Sequence, residues 1–324
     1  MRFFVKKLLI AIPCLNEAET IADVISAIPA TIQGIDEITT LVVDDGSTDN
    51  TSFVASSAGA TVIKHNGNRG VGLAFQTAVE FSVNHSYDYM VNIDGDRQFD
   101  PKDIPTLLQP ILAGHADMAT ASRFKNAKRI QNMSRLKLIG NHMMSFLISS
   151  LCGRKFFDVS CGFRAYTREA LLRLNLHGKF TYTQETFLDL ISKQLCIEEV
   201  PITVRYFKDR KSRVAGNIFK YALNTSSIIL RIYRDYFPMR FFMGIAAINM
   251  VPAIIFGCIF WSYYLNTGRF YGALYAGLTA GFFLILVLMF IILAVVTDML
   301  DRIRVNQDRI LYMFKKKLGD DFTC

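Results

Sequence analysis

The chain has 324 residues, 51% of them hydrophobic and only 20% charged, with a formal net charge of +8. This length allows one large domain plus a second module, and the apolar content is high for a soluble protein. A basic balance fits either nucleic acid or an anionic membrane surface. No basic stripe with interleaved aromatic residues occurs in residues 1–200, so nucleic acid is excluded as a partner.

Apolar strands and amphipathic helices alternate through the first part of the chain. The predicted strands are Leu8–Ile12, Ile38–Val43, Thr61–His65, Tyr89–Ile93 and Met118–Ser122. The predicted helices are Thr20–Ile32, Thr51–Ala58, Gly70–Ser86, Ile104–Ala113, Leu136–Leu151 and Thr183–Gln194. This alternation predicts an α/β fold whose sheet is mainly parallel and carries helices on both faces. Residues 123–205 show a less regular pattern.

Two acidic clusters each follow a predicted strand. Asp44-Asp45 comes after the second strand, and Asp94-Gly95-Asp96 comes after the fourth. Ligands of open α/β sheets bind outside the carboxyl ends of the strands. Carboxylate oxygens suit Mg²⁺ or Mn²⁺, and Asp45 is a suitable acceptor for a nucleobase N–H or a ribose hydroxyl. The clusters therefore predict a divalent cation and a nucleotide at this edge.

Two uncharged apolar stretches, residues 241–265 and 270–297, follow later in the chain. Each exceeds the roughly 20 residues needed to cross a ~30 Å hydrocarbon core, so they predict a transmembrane hairpin. Basic residues flank the hairpin on both outer sides, which predicts a multi-pass protein of the cytoplasmic (inner) membrane with both termini in the cytoplasm. Residues 216–240 are interpreted as an interfacial amphipathic helix rather than a core helix, and residues 298–324 as a basic amphipathic tail.

Six motifs occur in a defined order along the chain: IPCLNE, VVDDGSTDNT, NGNRGVG, NIDGDRQ, ASRF and DVSCGFRAY. In this order they resemble the family-2 glycosyltransferases of GT-A fold. The polyprenyl-phosphate glycosyltransferases, which include dolichol-phosphate mannose synthases and bacterial relatives, are the most similar group. The resemblance covers residues 6–240, and a membrane hairpin is typical of the group. The chain departs from the common pattern in DGDRQ, which replaces D-A-D-L-Q, and in residues 213–220, which replace R-x-G-x-S-K.

The resemblance implies a catalytic GT-A nucleotide-diphospho-sugar transferase domain over residues 1–215, and it implies roles for individual residues. The donor base and ribose would be held by Pro13, Leu15, Glu17 and Asp45. The metal, Mg²⁺ or Mn²⁺, and the sugar diphosphate would be surrounded by Asp94, Asp96 and Gln98. Asp158 matches the acidic position proposed to act on the acceptor, and Asp158 and Asp96 are the predicted catalytic residues. The candidates to clamp acceptor phosphates are Arg123, Arg135, Arg213 and Lys220.

The implied reaction is the inverting transfer of one sugar from a UDP- or GDP-sugar to a polyprenyl phosphate at the cytoplasmic membrane face. A sugar hydroxyl acceptor would need a general base, whereas a phosphate monoester has its second pKa near ~6 and is already ionised at about pH 7. We therefore expect Asp158 to orient the acceptor or balance charge as much as it removes a proton. The sequence leaves open which sugar is transferred, whether the donor carries UDP or GDP, how long the lipid is and which metal is used. It also leaves the possibility of a homo-oligomer open.

The sequence is also compatible with, or argues against, functions of other classes. A membrane-anchored nucleotide-sugar binding or scaffold protein, or a transferase with another membrane-associated acceptor, remains an alternative. A processive polysaccharide synthase would carry a Q-x-x-R-W motif, but the only tryptophan, Trp261, lies inside the first predicted span. A transporter would need a polar pathway, and the two spans contain no internal charge.

Overall fold

The computed structural model describes residues 5–125, 133, 135–176, 182–204, 230–231 and 233–321. The chain forms two compact units. The first unit comprises Met1–Tyr221 together with Ile310–Cys324, and the second comprises Ala222–Arg309. The first unit has an α/β fold, and the second is built from two long helices.

The strands and helices of the first unit alternate as the hydrophobic pattern predicts. Its strands are β1 (Lys7–Cys14), β2 (Glu37–Asp44), β3 (Thr61–Lys64), β4 (Tyr89–Asn92), β5 (Met118–Ser122), β6 (Arg164–Thr167) and β7 (Ile197–Pro201). Its helices are α1 (Ile21–Ser26), α2 (Thr51–Ser57), α3 (Val71–Asn84), α4 (Ile104–Leu112), α5 (Arg135–Cys152), α6 (Arg168–Arg173) and α7 (Tyr182–Ser192).

The strands form one sheet in the order β3-β2-β1-β4-β6-β5-β7. All neighbouring pairs are parallel except those of β6, which runs antiparallel to both β4 and β5. The predicted α/β class with a mainly parallel sheet is therefore confirmed. The central strand β1 is fully buried over Leu8–Ile12, as expected for a parallel strand covered on both faces.

Two local predictions were wrong, each for a physical reason. Helix α1 was expected to reach Ile32 but ends at Ser26, because Pro29 disfavours the helical conformation of the residue before it. Strands β6 and β7 were not predicted, because their sequences RAYT and IEEVP lack the apolar run of a buried strand. Their polar side chains Arg164 and Glu199 are buried and hydrogen-bonded to backbone groups of residues 157–161, which are close in sequence to Arg164 and distant from Glu199.

The second unit contains α8 (Pro238–Thr267) and the greater part of α9 (Leu274–Asp321). The segments Pro238–Thr267 and Tyr271–Lys317 are long and apolar enough to cross a membrane. Gly268 ends α8 in the left-handed conformation, at φ 64°. The ring of Phe270 stacks on that of Tyr264 with centroids 4.4 Å apart. These helices overlap the two predicted spans, 241–265 and 270–297, whose crossing of a membrane stays a prediction. Residues 216–229 of the predicted interfacial helix lie outside the described residues.

Candidate active site

The predicted ligand edge of the sheet is formed by the carboxyl ends of β1, β2, β4 and β5. Because β6 is antiparallel, its first residue lies at this same edge, where Arg164 pairs with Asn92 of β4 and Thr120 of β5. The turn that precedes β6, residues 158–162, is thereby brought beside the acidic loop that follows β4. The sheet topology thus places Asp158 on the edge that carries Asp94 and Asp96.

The loops that follow β1 and β2 are joined by hydrogen bonds. The backbone N–H of Asn16 donates to Ser47 Oγ at 2.9 Å, and its Oδ1 accepts from the N–H of Thr48 at 2.9 Å. The backbone N–H of Glu17 donates to Thr51 Oγ1, also at 2.9 Å. Asn16 adopts a φ of 56°, a left-handed conformation that asparagine tolerates better than most residues. These contacts hold the backbone of Glu17 in place at the carboxyl-end edge of the sheet.

The other predicted donor residues of the first loop, Pro13 and Leu15, are half-buried at the end of β1. Position 14 between them is a buried cysteine whose thiol pKa is raised, first by burial and then by the nearby carboxylates. A Cβ on Gly95 would lie 2.7 Å from the Sγ of Cys14. The glycine in DGDRQ therefore lets the acidic loop pass directly over the end of β1.

Asp45 is buried and holds the loop formed by residues 65–70. Its Oδ1 accepts the N–H of Arg69 at 3.0 Å and contacts His65 Nδ1 at 2.9 Å, while its Oδ2 accepts the N–H of Gly70 at 2.8 Å. His65 Nε2 in turn contacts Thr77 Oγ1 on α3 at 3.0 Å. Three of the roughly four acceptor positions of the carboxylate are thus used within the protein. Contact of Asp45 with a nucleoside stays a prediction.

We predict that Gly46→Ala will disrupt this loop, with Gly59→Ala as its matched control. Both glycines have a positive φ, 81° and 92°, so either substitution carries the left-handed strain of about 1–2 kcal/mol. A Cβ at Gly46 would also meet the backbone of Gly67 at 2.4 Å, whereas a Cβ at Gly59 meets nothing within 4 Å. Thermal unfolding should show a clearly larger loss of stability for Gly46→Ala than for Gly59→Ala. Equal losses of stability in the two variants would mean that the loop formed by residues 65–70 shifts to accommodate the added methyl group without cost.

Asp94 lies in the most strongly charged part of the edge. The pKa of its carboxyl is raised to about 7, first by burial and then by the charge of Asp96, whereas the Arg123 guanidinium opposes the shift. Glu17 also raises this pKa, and Arg164 lowers it. Three acidic and two basic side chains thus act on one another at this edge. The site carries an excess of negative charge before any ligand is bound.

The residues at this edge fit a divalent cation. Among the described residues, no group of three His, Cys, Asp or Glu side chains is placed to hold a metal ion. The loop after β4 carries two carboxylates, Asp94 and Asp96. Two carboxylates, with phosphate and water oxygens as further ligands, are the usual set for Mg²⁺. Gln98 is half-buried, and its N–H donates to Asp96 Oδ1 at 3.1 Å. A Cβ at Gly162 would lie 3.1 Å from both Asp94 oxygens, so glycine keeps this carboxylate accessible.

Asp158 forms a fully buried ion pair with Arg123. The Nε of Arg123 donates to Oδ2 at 2.6 Å and its Nη2 to Oδ1 at 2.8 Å, while the Arg123 backbone N–H donates to Oδ2 at 3.1 Å. Ser160 adds a backbone N–H to Oδ1 at 3.2 Å. The Asp158 carboxylate has no exposed surface, and Arg123 is 8% exposed. This geometry favours an orienting role for Asp158 over that of an accessible base.

Two buried residues that the sequence did not single out hold the turn 158–162. Arg164 donates from Nε to the carbonyl of Cys161 at 2.8 Å and from Nη2 to the carbonyl of Val159 at 3.1 Å. Glu199 of β7 accepts the N–H of Asp158 at 2.8 Å and that of Phe157 at 3.0 Å. Burial raises the pKa of Glu199. Arg164 lies within the DVSCGFRAY motif, whereas Glu199 has no local signal, because β7 was itself not predicted.

We predict that Glu199→Ala will destabilise the fold around Asp158, and Glu198→Ala will not. The first substitution leaves two backbone N–H groups unsatisfied, at a cost of about 1–3 kcal/mol each. Glu198 is the adjacent residue of β7 and points to the half-buried face of the strand. The unfolding temperature of each variant in detergent measures the difference. Equal temperatures would show that water replaces the lost carboxylate.

Of the four phosphate candidates, the structure describes the side chain of Arg123. Arg213 and Lys220 lie outside the described residues, and the side chain of Arg135, the first residue of α5, does as well. Arg123 is therefore the candidate whose position is known. It lies next to Asp158 and close enough to Asp94 to lower its pKa.

The chain is similar in sequence to several named sugar transferases. The chain is 31% identical over 221 residues to the UDP-N-acetylglucosamine–dolichyl-phosphate N-acetylglucosaminyltransferase of Methanococcus voltae, covering 62% of this chain and 86% of the relative. It is 25% identical over 228 residues to the polyprenol monophosphomannose synthase of Mycolicibacterium smegmatis, covering 67% and 84%.

Solved structures show the same fold. The glucosyl-3-phosphoglycerate synthase of Mycobacterium tuberculosis, in complex with Mn²⁺, UDP-glucose and phosphoglyceric acid, superposes with a TM-score of 0.51 at 25% identity. The superposition covers 69% of this chain and 79% of that chain. Residues 9–174 match the family described as glycosyl transferase family 2, and this match includes most of β1, all of β2 to β6 and the acidic edge. The chain therefore belongs to glycosyl transferase family 2 and is a glycosyltransferase of GT-A-like fold.

Proposed function

We propose that this glycosyltransferase moves one sugar from a nucleotide-diphosphate sugar to the phosphate of a polyprenyl lipid. The observation that carries the proposal is the acidic edge of Glu17, Asp45, Asp94 and Asp96 in a chain that also has two helices able to cross a membrane. The relatives named above act, by their names, on dolichyl phosphate or polyprenol, and so does an undecaprenyl-phosphate mannosyltransferase of Micrococcus luteus, at 24% identity.

In this reaction an acceptor phosphate oxygen attacks the anomeric carbon from the side opposite the leaving group. The bond between that carbon and the β-phosphate oxygen breaks, the configuration inverts, and a nucleoside diphosphate leaves. The acceptor needs no base, because a phosphate monoester with a second pKa near ~6 is already largely ionised at neutral pH. This chemistry matches a site whose Asp158 is closed off by Arg123.

The protein's contribution is to position charges before the reaction begins. Asp94, Asp96 and Gln98 would hold Mg²⁺ or Mn²⁺, which when bound neutralises charge on the departing diphosphate. Arg123, held rigidly by Asp158, presents a fixed positive charge on the acceptor side of the same edge. Preorganised charges of this kind are usually the largest catalytic contribution. We propose that the catalytic unit and both termini face the cytoplasm, where nucleotide sugars are available.

The test uses full-length protein in vesicles with a polyprenyl phosphate and a panel of UDP- and GDP-sugars. We expect a lipid-linked sugar with one preferred donor, formed with Mg²⁺ or Mn²⁺ and lost with EDTA. Phosphoglyceric acid serves as a soluble phosphorylated acceptor in a parallel reaction. Sugar transfer to phosphoglyceric acid alone, or donor binding without any transfer, would overturn the proposal. The second outcome would instead support a nucleotide-sugar binding protein.

A further inference from the structure

The Asp45 carboxylate has one acceptor position left for a ligand, and the hydrogen bonds of the site show which oxygen carries it. Oδ1 accepts two N–H groups, one from the His65 ring at 2.9 Å and one from the backbone of Arg69 at 3.0 Å. Oδ2 accepts one N–H group, from the backbone of Gly70 at 2.8 Å. Because each carboxylate oxygen has two lone pairs, Oδ1 is saturated and Oδ2 keeps one of its own. Asp45 can therefore accept a single hydrogen from a ligand.

His65 is the side chain that closes Oδ1, and its ring is held from both ends. Nδ1 is the donor toward Asp45, because an ionised carboxylate can only accept hydrogen bonds. On the other side of the ring, Nε2 contacts Thr77 Oγ1 on α3 at 3.0 Å. The side chain of His65 is only 8% exposed. Its hydrogen bond to Asp45 is thus a fixed part of the site.

The neighbouring acceptors of the loop after β2 are engaged as well. Asp44 is fully buried and accepts the N–H of Ser47 at 2.7 Å. Ser47 Oγ accepts the N–H of Asn16 at 2.9 Å. The carbonyl oxygen of Ser47 accepts Lys64 Nζ at 3.2 Å. These groups are used to hold the loop together, so the acceptor that this part of the edge presents to a ligand is Oδ2 of Asp45.

The loop formed by residues 65–70 places donors beside this acceptor. Asn68 Oδ1 accepts the N–H of Gly70 at 3.0 Å, so the NH₂ group of the same amide is the end that can donate to a ligand. The side chain of Arg69 is exposed, and a guanidinium group only donates hydrogen bonds. The loop thus combines one acceptor position with several donors.

This pattern distinguishes the two donor bases that the proposed function allows. Uracil has a single N–H, at N3, between two carbonyl oxygens that accept hydrogen bonds. Guanine presents two adjacent donors on the corresponding edge, N1–H and the N2 amino group. A carboxylate with two open oxygens can accept from both guanine donors, whereas Asp45 can accept from one. A guanine bound here would keep an N–H group without a partner, and a desolvated, unpaired donor weakens binding.

We propose that His65, by occupying Oδ1 of Asp45, makes the site select uracil over guanine nucleotides, so that the sugar donor is a UDP-sugar. The proposal rests on the nucleotide-sugar donor of the proposed function and goes beyond it, because it names the base and the residue that selects it. His65 is a positioning residue, since it acts through the Asp45 carboxylate. A chain with the same carboxylate and no donor at position 65 would leave both oxygens open to guanine.

Calorimetric titration with nucleoside diphosphates tests the selection without requiring sugar transfer. Full-length protein in detergent is titrated with UDP, GDP, CDP and N3-methyl-UDP in the presence of Mn²⁺. The ribose, the diphosphate and the metal are common to all four titrations, so differences in Kd report on the base. We expect UDP to bind about 10- to 100-fold more tightly than each of the other three.

Two outcomes with the wild-type protein would overturn the proposal. Equal Kd values for UDP and GDP would show that Asp45 contacts the ribose, which the two nucleotides share, or no part of the nucleoside. Equal Kd values for UDP and CDP would show that the carboxylate accepts from an amino group rather than from N3–H of uracil.

Variants at position 65 test whether His65 makes the selection. His65→Leu removes the N–H and opens Oδ1, so the preference for UDP over GDP should fall by about tenfold or more. His65→Asn keeps a side-chain N–H donor at this position and should retain most of the preference. His85→Leu is the matched control, because His85 is exposed at the end of α3 and contacts the carbonyl oxygen of Phe81. It should keep both affinities.

A change in base preference separates this role from a structural one, because a damaged fold would weaken UDP and GDP alike. An unchanged preference in His65→Leu would overturn the role of His65. His65→Phe keeps a ring without an N–H and takes the place of His65→Leu if that variant does not fold. If UDP is selected but no lipid-linked sugar forms, the proposed transfer fails and the base selection stands. If lipid-linked sugar forms from a GDP-sugar alone, the transfer stands and the base selection fails.

Discussion

Asp96→Asn should lower sugar transfer by about 10³-fold while leaving the fold intact. Asp96 is half-buried on the loop after β4, and an asparagine Oδ1 can still accept the N–H of Gln98 that Asp96 now accepts. The variant therefore removes one negative charge beside Asp94 and keeps the hydrogen bond from Gln98. Because Asp96 raises the pKa of Asp94, the variant should also lower that pKa. Initial rates with saturating donor and acceptor, at a series of Mg²⁺ and Mn²⁺ concentrations, measure the effect.

The matched control for Asp96 is Asp100→Asn on the same loop. Asp100 caps the short helix Pro101–Asp103 by accepting the N–H of Lys102 at 3.1 Å, a role that asparagine fills equally well. Asp100→Asn should keep wild-type rates and the wild-type metal requirement. If Asp96→Asn transferred sugar normally, or if EDTA had no effect on the wild type, the carboxylate pair would not be a metal site. The role of the edge would then be confined to nucleoside binding.

Asp158→Asn should destabilise the protein and slow transfer at every pH. The substitution leaves the Arg123 guanidinium buried without its counter-charge, and removing one partner of a buried pair costs about 3–5 kcal/mol. Transfer falls because Arg123 no longer holds its orientation on the acceptor side. Since Asp158 then acts through Arg123 and not by accepting a proton, the pH–rate profile should keep its wild-type shape from about pH 6 to 9.

Asp189→Asn separates lost stability from lost function. Asp189 is 1% exposed and pairs with Lys193 Nζ at 2.8 and 2.9 Å on α7, so it is a second buried carboxylate–cation pair in the same unit. This variant should unfold at a lower temperature yet transfer sugar at near-normal rates well below that temperature. If Asp158→Asn were instead as stable as the wild type, with a rate that climbed about tenfold per pH unit, Asp158 would be the general base.

The predicted and observed structures agree where the signal is local. Strand β5 matches its predicted bounds, and α5 differs from its prediction by one residue at each end. In each of these two segments the spacing of the apolar residues indicates the conformation. Agreement fails at α1, which Pro29 shortens, and at β6 and β7, where polar side chains are buried by long-range contacts. Pairing of β6 with β4 joins residues more than 70 positions apart, and no local pattern records it.

The same division applies to the candidate site. Asp45, Asp94 and Asp96 could be placed on one edge from the sequence, because the carboxyl ends of parallel strands meet there. The environment of each side chain could not be predicted. Asp45 is occupied by the loop at 65–70, and Asp158 is enclosed by Arg123 and supported by Glu199. These partners come from elements separated by tens of residues.

The sequence alone determined the α/β class, the acidic edge and the two apolar helices, because each is encoded by periodicity or composition within a short window. Only the tertiary structure decided that β6 is antiparallel, that the turn before it reaches the acidic edge, and that the Asp158 carboxylate is closed to solvent. The physical reason is that the order of strands and the burial of a charge depend on which distant segments pack together. No single segment contains that information.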